Sequence, residues 1–276
     1  MKLQNAIVGS FFSIVVCSTL LSGETISNFG GVPFINSIEK SVEKIAEKHV
    51  THWGYTGHGG PEEWGDLSPE NIMCKKGASQ SPINIEKSVS VATKGLEKIG
   101  FNYTTATTGV LNNGHTIQVN FENGSSIKLD GIEFNLKQVH FHTPSENQIS
   151  SKSFPLEAHF VHASKDGALA VLALMFEDGR ENLFIKKVWE NMPHEADKTT
   201  PLVLLAKDVN AFLPKDRSYY RFNGSLTTPP CSEGVRWLVL KNYSKISKKQ
   251  VEEFLHVMHH ENNRPIQPVN ARKVIN

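Results

Sequence analysis

Two short stretches of strict alternation constrain this 276-residue chain more than any other feature. Lys137-Gln138-Val139-His140-Phe141-His142 has strand propensity, and in a strand successive side chains point to opposite faces. Gln138, His140 and His142 therefore share one face, while Val139 and Phe141 share the other. Leu156-Glu157-Ala158-His159-Phe160-Val161-His162 repeats the pattern, with Glu157, His159 and Val161 on one face. If the two strands are neighbours, three imidazoles meet at one spot, and a polar residue stands two positions before His140 and before His159. A catalytic zinc site asks for this: three neutral nitrogen ligands, outer groups that fix ring tautomers, and a fourth position left to water. The same spacing also suits exposed or packed histidines, so the pattern alone leaves both readings open. His256, His259 and His260 form a rival group on a C-terminal helical stretch. They fall opposite its apolar stripe and lack the glutamate of a helical zinc motif, which makes them solvated surface residues.

From His52 onward the chain reads as short strands separated by turn residues. Leu111 to Val119 predicts a hairpin around Asn113-Gly114. Residues 181–192 predict a helix, as does Ser247 to His260. There Ser247 and Gln250 form a capping box, and Val251, Phe254, Leu255 and Met258 make an apolar stripe. No internal repeat or low-complexity tract interrupts the pattern. The expected fold is one mostly β (α+β) domain. Lys and Arg total 29 against 28 acidic residues, and no basic run is interleaved with aromatics. That balance excludes an electrostatic nucleic-acid footprint.

The N-terminus predicts export. Met1-Lys2 gives a short positive region, Ala6 to Leu21 is apolar, and Ser22-Gly23 offers small residues for cleavage. The apolar run is short for a membrane span. Residues 1–23 are therefore expected to be a signal peptide, with lipidation at Cys17 as an alternative end. Residues 24–51 form an extension in which Phe34, Ile35, Ile38, Val42 and Ile45 predict an amphipathic helix over 34–49. In an oxidising compartment the remaining pair, Cys74 and Cys231, is expected to form a disulfide; two buried free thiols are the alternative.

The chain from about His52 to Asn270 resembles the α-class carbonic anhydrases of exported bacterial type. The matching stretches are Trp53-Gly54-Tyr55, Gln80-Ser81-Pro82-Ile83-Asn84-Ile85, Asn113-Gly114-His115, Gln138 to His142, Glu157 to His162, Gly224-Ser225-Leu226-Thr227-Thr228-Pro229-Pro230-Cys231 and Arg264-Pro265-Ile266-Gln267. The resemblance implies one catalytic domain over 52–276, built on a large twisted, mainly antiparallel central sheet with short peripheral helices. It implies a single zinc ion on His140, His142 and His159 and the reversible hydration of CO2 to bicarbonate and a proton by zinc-bound hydroxide.

The resemblance also assigns roles to single residues. Thr227 matches the threonine that accepts the nucleophile's proton in a hydrogen bond, and Glu146 matches the carboxylate that accepts from that threonine. Gln138 and Glu157 match the partners of His140 and His159, with a backbone carbonyl serving His142. His115 matches the proton-shuttle histidine, suited to that task because an imidazole titrates near neutrality. Val161, Val171, Leu226, Val235 and Trp237 match the apolar wall against which CO2 rests. Thr228, Tyr55, Asn113 and Gln118 match the polar side that orders water. Cys74 and Cys231 match the single disulfide of the exported members, which would brace the Thr227 loop. His162 points away from the metal by alternation. Anions and sulfonamides are the expected inhibitors, esterase activity is possible, and the assembly is expected to be a monomer or a homodimer. A different class of relative, which has lost its metal ligands and serves as a binding module, fits less well because all three ligand positions, Thr227 and Glu146 are intact.

Overall fold

The apolar run Leu169 to Phe176 is too uniform for a strand with one wet face, and it lies where both faces of a sheet are covered. The computed structural model describes residues 52–88, 90–93 and 96–276. The export segment at 1–23 and the helix expected at 34–49 lie outside the described residues.

Thirteen strands are described: β1 (Asn84–Ile85), β2 (Gly100–Asn102), β3 (Thr107–Asn112), β4 (Ile117–Phe121), β5 (Ser126–Leu129), β6 (Ile132–His142), β7 (Gln148–Ile149), β8 (Leu156–Ala163), β9 (Leu169–Asp178), β10 (Lys198–Pro201), β11 (Tyr219–Ser225), β12 (Glu233–Leu240) and β13 (Ser244–Ile246). Eleven of them form one sheet whose main path runs β10-β3-β4-β6-β8-β9-β12-β11. β5 pairs with β6, β2 with β5, and β13 with β9; β1 and β7 form a separate parallel pair. Within the large sheet only β12 and β13 run parallel to their partner β9, so the expected mainly antiparallel sheet is what the chain builds.

Alternation along the central strands divides the interior into two cores. Ala170, Leu172, Leu174 and Phe176 of β9 join Val139, Phe141, Ala158 and Phe160 on one side of the sheet. Val171, Ala173 and Met175 join Val235, Trp237 and Val239 on the other. Full burial of each large apolar side chain contributes about 1.5–3 kcal/mol, so both faces of β9 hold the sheet centre in place. The histidines sit on the side of the second core.

The Asn-Gly hairpin forms as expected, with Asn112 opposite Ile117 across β3 and β4. Gly114 adopts a φ of +80°, a left-handed conformation that glycine enters without steric cost. Asn113 Oδ1 accepts from the amides of His115 and Thr116 at 3.0 and 2.8 Å and closes the turn.

Among the described residues five short α-helices lie outside the sheet: α1 (Trp64–Leu67), α2 (Met73–Lys76), α3 (Leu183–Trp189), α4 (Ala206–Phe212) and α5 (Lys248–Met258). The Ser247–Gln250 capping box is present at the start of α5. Its buried face differs from the expected stripe: Gln250, Phe254, Val257 and Met258 are buried, while Val251 and Leu255 are half-buried. A polar residue can occupy that face because the Gln250 amide exchanges hydrogen bonds with the Asn182 backbone at 2.9 and 2.8 Å. The helix ends at Met258, with His259 as a left-handed cap, so His260 is not one turn above His256 on a helix. Among the described residues no helix is long and apolar enough to cross a membrane.

Candidate metal centre

The register between β6 and β8 sets His140 directly opposite His159 and His142 opposite Glu157. Ring centroids are 5.0 Å apart for His140 and His142, 5.2 Å for His140 and His159, and 4.6 Å for His142 and His159. One nitrogen from each ring lies within 4.8 Å of the others. Sequence alternation predicted this meeting, and the strand pairing delivers it.

Each imidazole sets its other nitrogen against the protein. His140 Nδ1 is 2.8 Å from Gln138 Oε1, His142 Nδ1 is 2.7 Å from the carbonyl of Asn262, and His159 Nε2 is 2.9 Å from Glu157 Oε1. Since carbonyl oxygens only accept, the first two contacts fix the tautomers and leave Nε2 of His140 and Nε2 of His142 as lone-pair donors. The Glu157 carboxyl lies close to His159 Nε2 outside hydrogen-bond geometry, with Nδ1 of that ring turned toward the other two. His142 Nε2 is buried and has no hydrogen-bond partner among the described residues. A buried polar atom without a partner is costly, and a metal ion satisfies it. Burial pushes all three rings below the ordinary histidine range, with neighbouring imidazoles adding to the effect at His140 and His159. They are therefore neutral at pH 7, as zinc ligands must be. The donor set fits one zinc ion with a position left open.

Glu157 and Glu146 are both fully buried beside the histidines. Burial raises the Glu157 carboxyl to about 7, against hydrogen bonds from the side chain and backbone of Asn147 at 2.8 and 2.9 Å. Burial pushes Glu146 well above the usual carboxylate range, opposed by the Arg264 amide at 2.9 Å and by the Thr227 hydroxyl. Glu146 Oε2 lies 3.5 Å from His142 Nε2 and 3.9 Å from His159 Nδ1. Glu146 thus borders two of the three free nitrogens.

The Thr227 loop is tied down along its length. Ser225 and Ser81 exchange two hydrogen bonds at 2.9 and 3.1 Å. Leu226 N donates to Ser232 O, Cys231 N donates to Thr228 O, and Gln80 Nε2 donates to Cys231 O. Cys74 and Cys231 form the expected disulfide, with Cα atoms 4.9 Å apart and a sequence separation of 157. Sequence reasoning quoted Gln80-Ser81 without a role; the structure shows both side chains lacing this loop.

The five apolar residues assigned to one wall do come together. Val171, Val235 and Trp237 are buried in the second core, and Val161 and Leu226 pack against it. The Trp237 ring meets His159 edge-on at 4.9 Å, so that core reaches the metal position. On the polar side, Gln118 pairs across the sheet with His140 and donates to Asn120 at 2.7 Å. Tyr55 is buried against Trp53 and Trp64, and burial followed by the charge of Glu146 pushes its phenol well up. Thr228 is half-buried.

His115 is half-buried and stacks on Trp53 at 3.7 Å with the rings 8° from parallel. Its imidazole is pushed below the ordinary range by burial first, then by His52 and His260, while Asp197 pulls the other way. The His52 ring is 5.7 Å away. His260, expected on the solvated face, is half-buried with its ring 6.0 Å from Tyr55; only His256 and His259 of that group are exposed. The helix ends early enough to turn His260 back toward the rim. Asn262 was missed by sequence reasoning, its one signal being its place two residues before Arg264-Pro265-Ile266-Gln267, and Arg264 was quoted there without a role.

Residues 59–276 match the family model of the eukaryotic-type carbonic anhydrases. The chain belongs to that family. Among carbonic anhydrases, that of Neisseria gonorrhoeae is 50% identical over 231 residues, covering 83% of this chain and 90% of the relative. The carbonic anhydrase of Pectobacterium carotovorum is 48% identical over 228 residues, covering 81% of this chain and 90% of the relative. The solved α-carbonic anhydrase of Thermovibrio ammonificans, in complex with the inhibitor sulfanilamide, superposes with a TM-score of 0.78 at 48% identity, covering 82% of this chain and 99% of that one. The family reaction is CO2 hydration, and the three-histidine cluster fits the zinc that α-carbonic anhydrases use.

Proposed function

We propose that residues 52–276 form a catalytic domain that interconverts CO2 and bicarbonate with zinc held by His140, His142 and His159. The observation that carries this reading is the trio of imidazole nitrogens left uncommitted by their protein partners, one of them buried with no partner. Bound zinc supplies Lewis acidity that makes a water molecule nucleophilic near neutral pH. Gln138, Glu157 and the Asn262 carbonyl hold the three rings in the tautomers that point their lone pairs at the metal. The Thr227 hydroxyl donates to Glu146, which leaves Thr227 Oγ1 to accept from the attacking water and fix its lone pair toward CO2.

CO2 offers no strong hydrogen-bond handle, so its place is the dry side, against Val161, Val171, Leu226, Val235 and Trp237. Tyr55, Asn113, Gln118 and Thr228 order the waters that lead the released proton to His115. The imidazole of His115 takes that proton while neutral and releases it to buffer at the rim. Its position on Trp53, half-exposed and beside His52, supports an exit at this edge. Conversion to a binding module is disfavoured because every group the reaction needs is retained.

Export to the periplasm or beyond is part of the same reading, with cleavage after residue 23 and an extension over 24–51. The charge and apolar pattern of residues 1–23 and the Cys74–Cys231 disulfide support it. Sulfonamides and small anions are the expected inhibitors, since the Thermovibrio ammonificans relative binds sulfanilamide. Stopped-flow CO2 hydration by the zinc-loaded chain tests the proposal. The expected result is sulfanilamide-sensitive hydration far above the buffer background; a rate at background with zinc bound contradicts it.

A further inference from the structure

Asn262 lies in the irregular segment after α5 and is fully buried, yet every polar atom it has is used. Its Nδ2 donates to the carbonyl of His115 at 3.1 Å and to the carbonyl of Phe141 at 2.9 Å. Its Oδ1 accepts from the amide of Thr143 at 2.8 Å, and its own amide donates to the Thr143 carbonyl at 3.1 Å. Its carbonyl receives His142 Nδ1 at 2.7 Å. One residue therefore grips the metal strand at three consecutive positions and, through the same amide group, holds the backbone of the histidine at the rim. The His115 ring is stacked on Trp53 and has no hydrogen bond to another described residue, so its position is set by that stack and by its backbone. On the near side that backbone is held by Asn113 in the turn; on the far side it is held by Asn262.

We infer that Asn262 is a positioning residue for proton transfer, its side-chain amide fixing the reach of His115 relative to the metal ligand His142. This rests on the reading of His115 as the proton carrier. Losing the amide takes the donor from the His115 carbonyl, one of two side-chain donors from the Phe141 carbonyl and the acceptor from the Thr143 amide. Thr116 still joins the turn to Phe141, so what loosens is the His115 backbone. Transfer through ordered water is sensitive to such displacement, whereas attack on CO2 beside the zinc is not, because the Asn262 carbonyl remains for His142 whatever the side chain.

The test uses the zinc-loaded, full-length chain and four proteins: parent, Asn262→Ser, His115→Ala and the double variant. Serine is too short to reach either carbonyl and adds no charge. Asn262→Thr, equally short of both carbonyls and uncharged, replaces it if the serine variant does not fold. The expected result for Asn262→Ser is a kcat in weak buffer that falls about tenfold, a clearly smaller fall in kcat/KM with zinc retained, and recovery of kcat with added imidazole. Hydrogen exchange of the 113–116 amides is expected to quicken in the same protein. In the His115→Ala background the serine substitution is expected to cost nothing further. Equal losses in kcat and kcat/KM, zinc loss, or a serine effect that adds fully to that of His115→Ala overturns the inference. If His115→Ala alone leaves weak-buffer kcat unchanged, it is the shuttle reading that fails, and the inference falls with it.

Discussion

His159 and His162 stand three residues apart on β8 and face opposite sides of the sheet, and both are fully buried. Burial depresses both imidazoles, His162 to about 4. Burial and basicity therefore do not tell a ligand from a packing residue. What differs is how many nitrogens are committed. His162 uses both within the protein: Nε2 is 2.7 Å from the Tyr103 hydroxyl and Nδ1 is 3.3 Å from the Ala170 carbonyl. His159 sets Nε2 against Glu157 and leaves Nδ1 toward His140 and His142. A buried imidazole with both nitrogens committed is structure, and one with a nitrogen left over, facing two others like it, is a ligand.

The largest effect should separate these two residues. His159→Ala is expected to abolish zinc retention and lower CO2 hydration by more than about a hundredfold, beyond what losing an outer partner costs. His162→Gln is expected to keep both zinc and rate. Metal analysis and stopped-flow on the two variants check this, and similar losses in both erase the distinction.

The next effect belongs to His162 alone. Its imidazole titrates near 6.5 when unfolded and at about 4 in the folded chain, so between these values the unfolded chain binds the extra proton. Its contribution is complete above about pH 6.5 and is lost as pH falls toward 4, a loss of about 3 kcal/mol. Denaturant unfolding at pH 7 and pH 4 should show a smaller acid loss in His162→Gln than in the parent by roughly that amount. Equal losses would mean that His162 is not held neutral.

His115 is the third kind, neither buried with both nitrogens used nor set on the metal. His115→Ala is expected to lower kcat about tenfold in weak buffer, with recovery in imidazole. Because burial, His52 and His260 hold this imidazole low, weak-buffer kcat in the parent should rise with pH around a midpoint below 6.5. A midpoint above 6.5 would contradict the depression.

The legible part of the chain was the part governed by local rules. Strand alternation set His140, His142 and His159 on one face and turned His162 away, and the Asn-Gly turn fixed the hairpin that carries His115. The carbonyl that orients His142 was not readable by residue, because Asn262 lies 120 positions away in a segment with no periodicity. Ser81 and Ser225, which lace the Thr227 loop, are 144 positions apart for the same reason. The face of α5 was misjudged because Gln250 looks polar in sequence and is buried by pairing with the Asn182 backbone. His260 was misplaced because a left-handed cap at His259 ends the helix at Met258, two residues before the expected end at His260.

Zinc titration into metal-free, full-length chain tests the central claim most directly. The account predicts saturation at one zinc per chain, with hydration activity rising in proportion and no binding at that strength in His142→Ala. Full hydration activity in chain stripped of zinc, or unchanged zinc binding in His142→Ala, would contradict it.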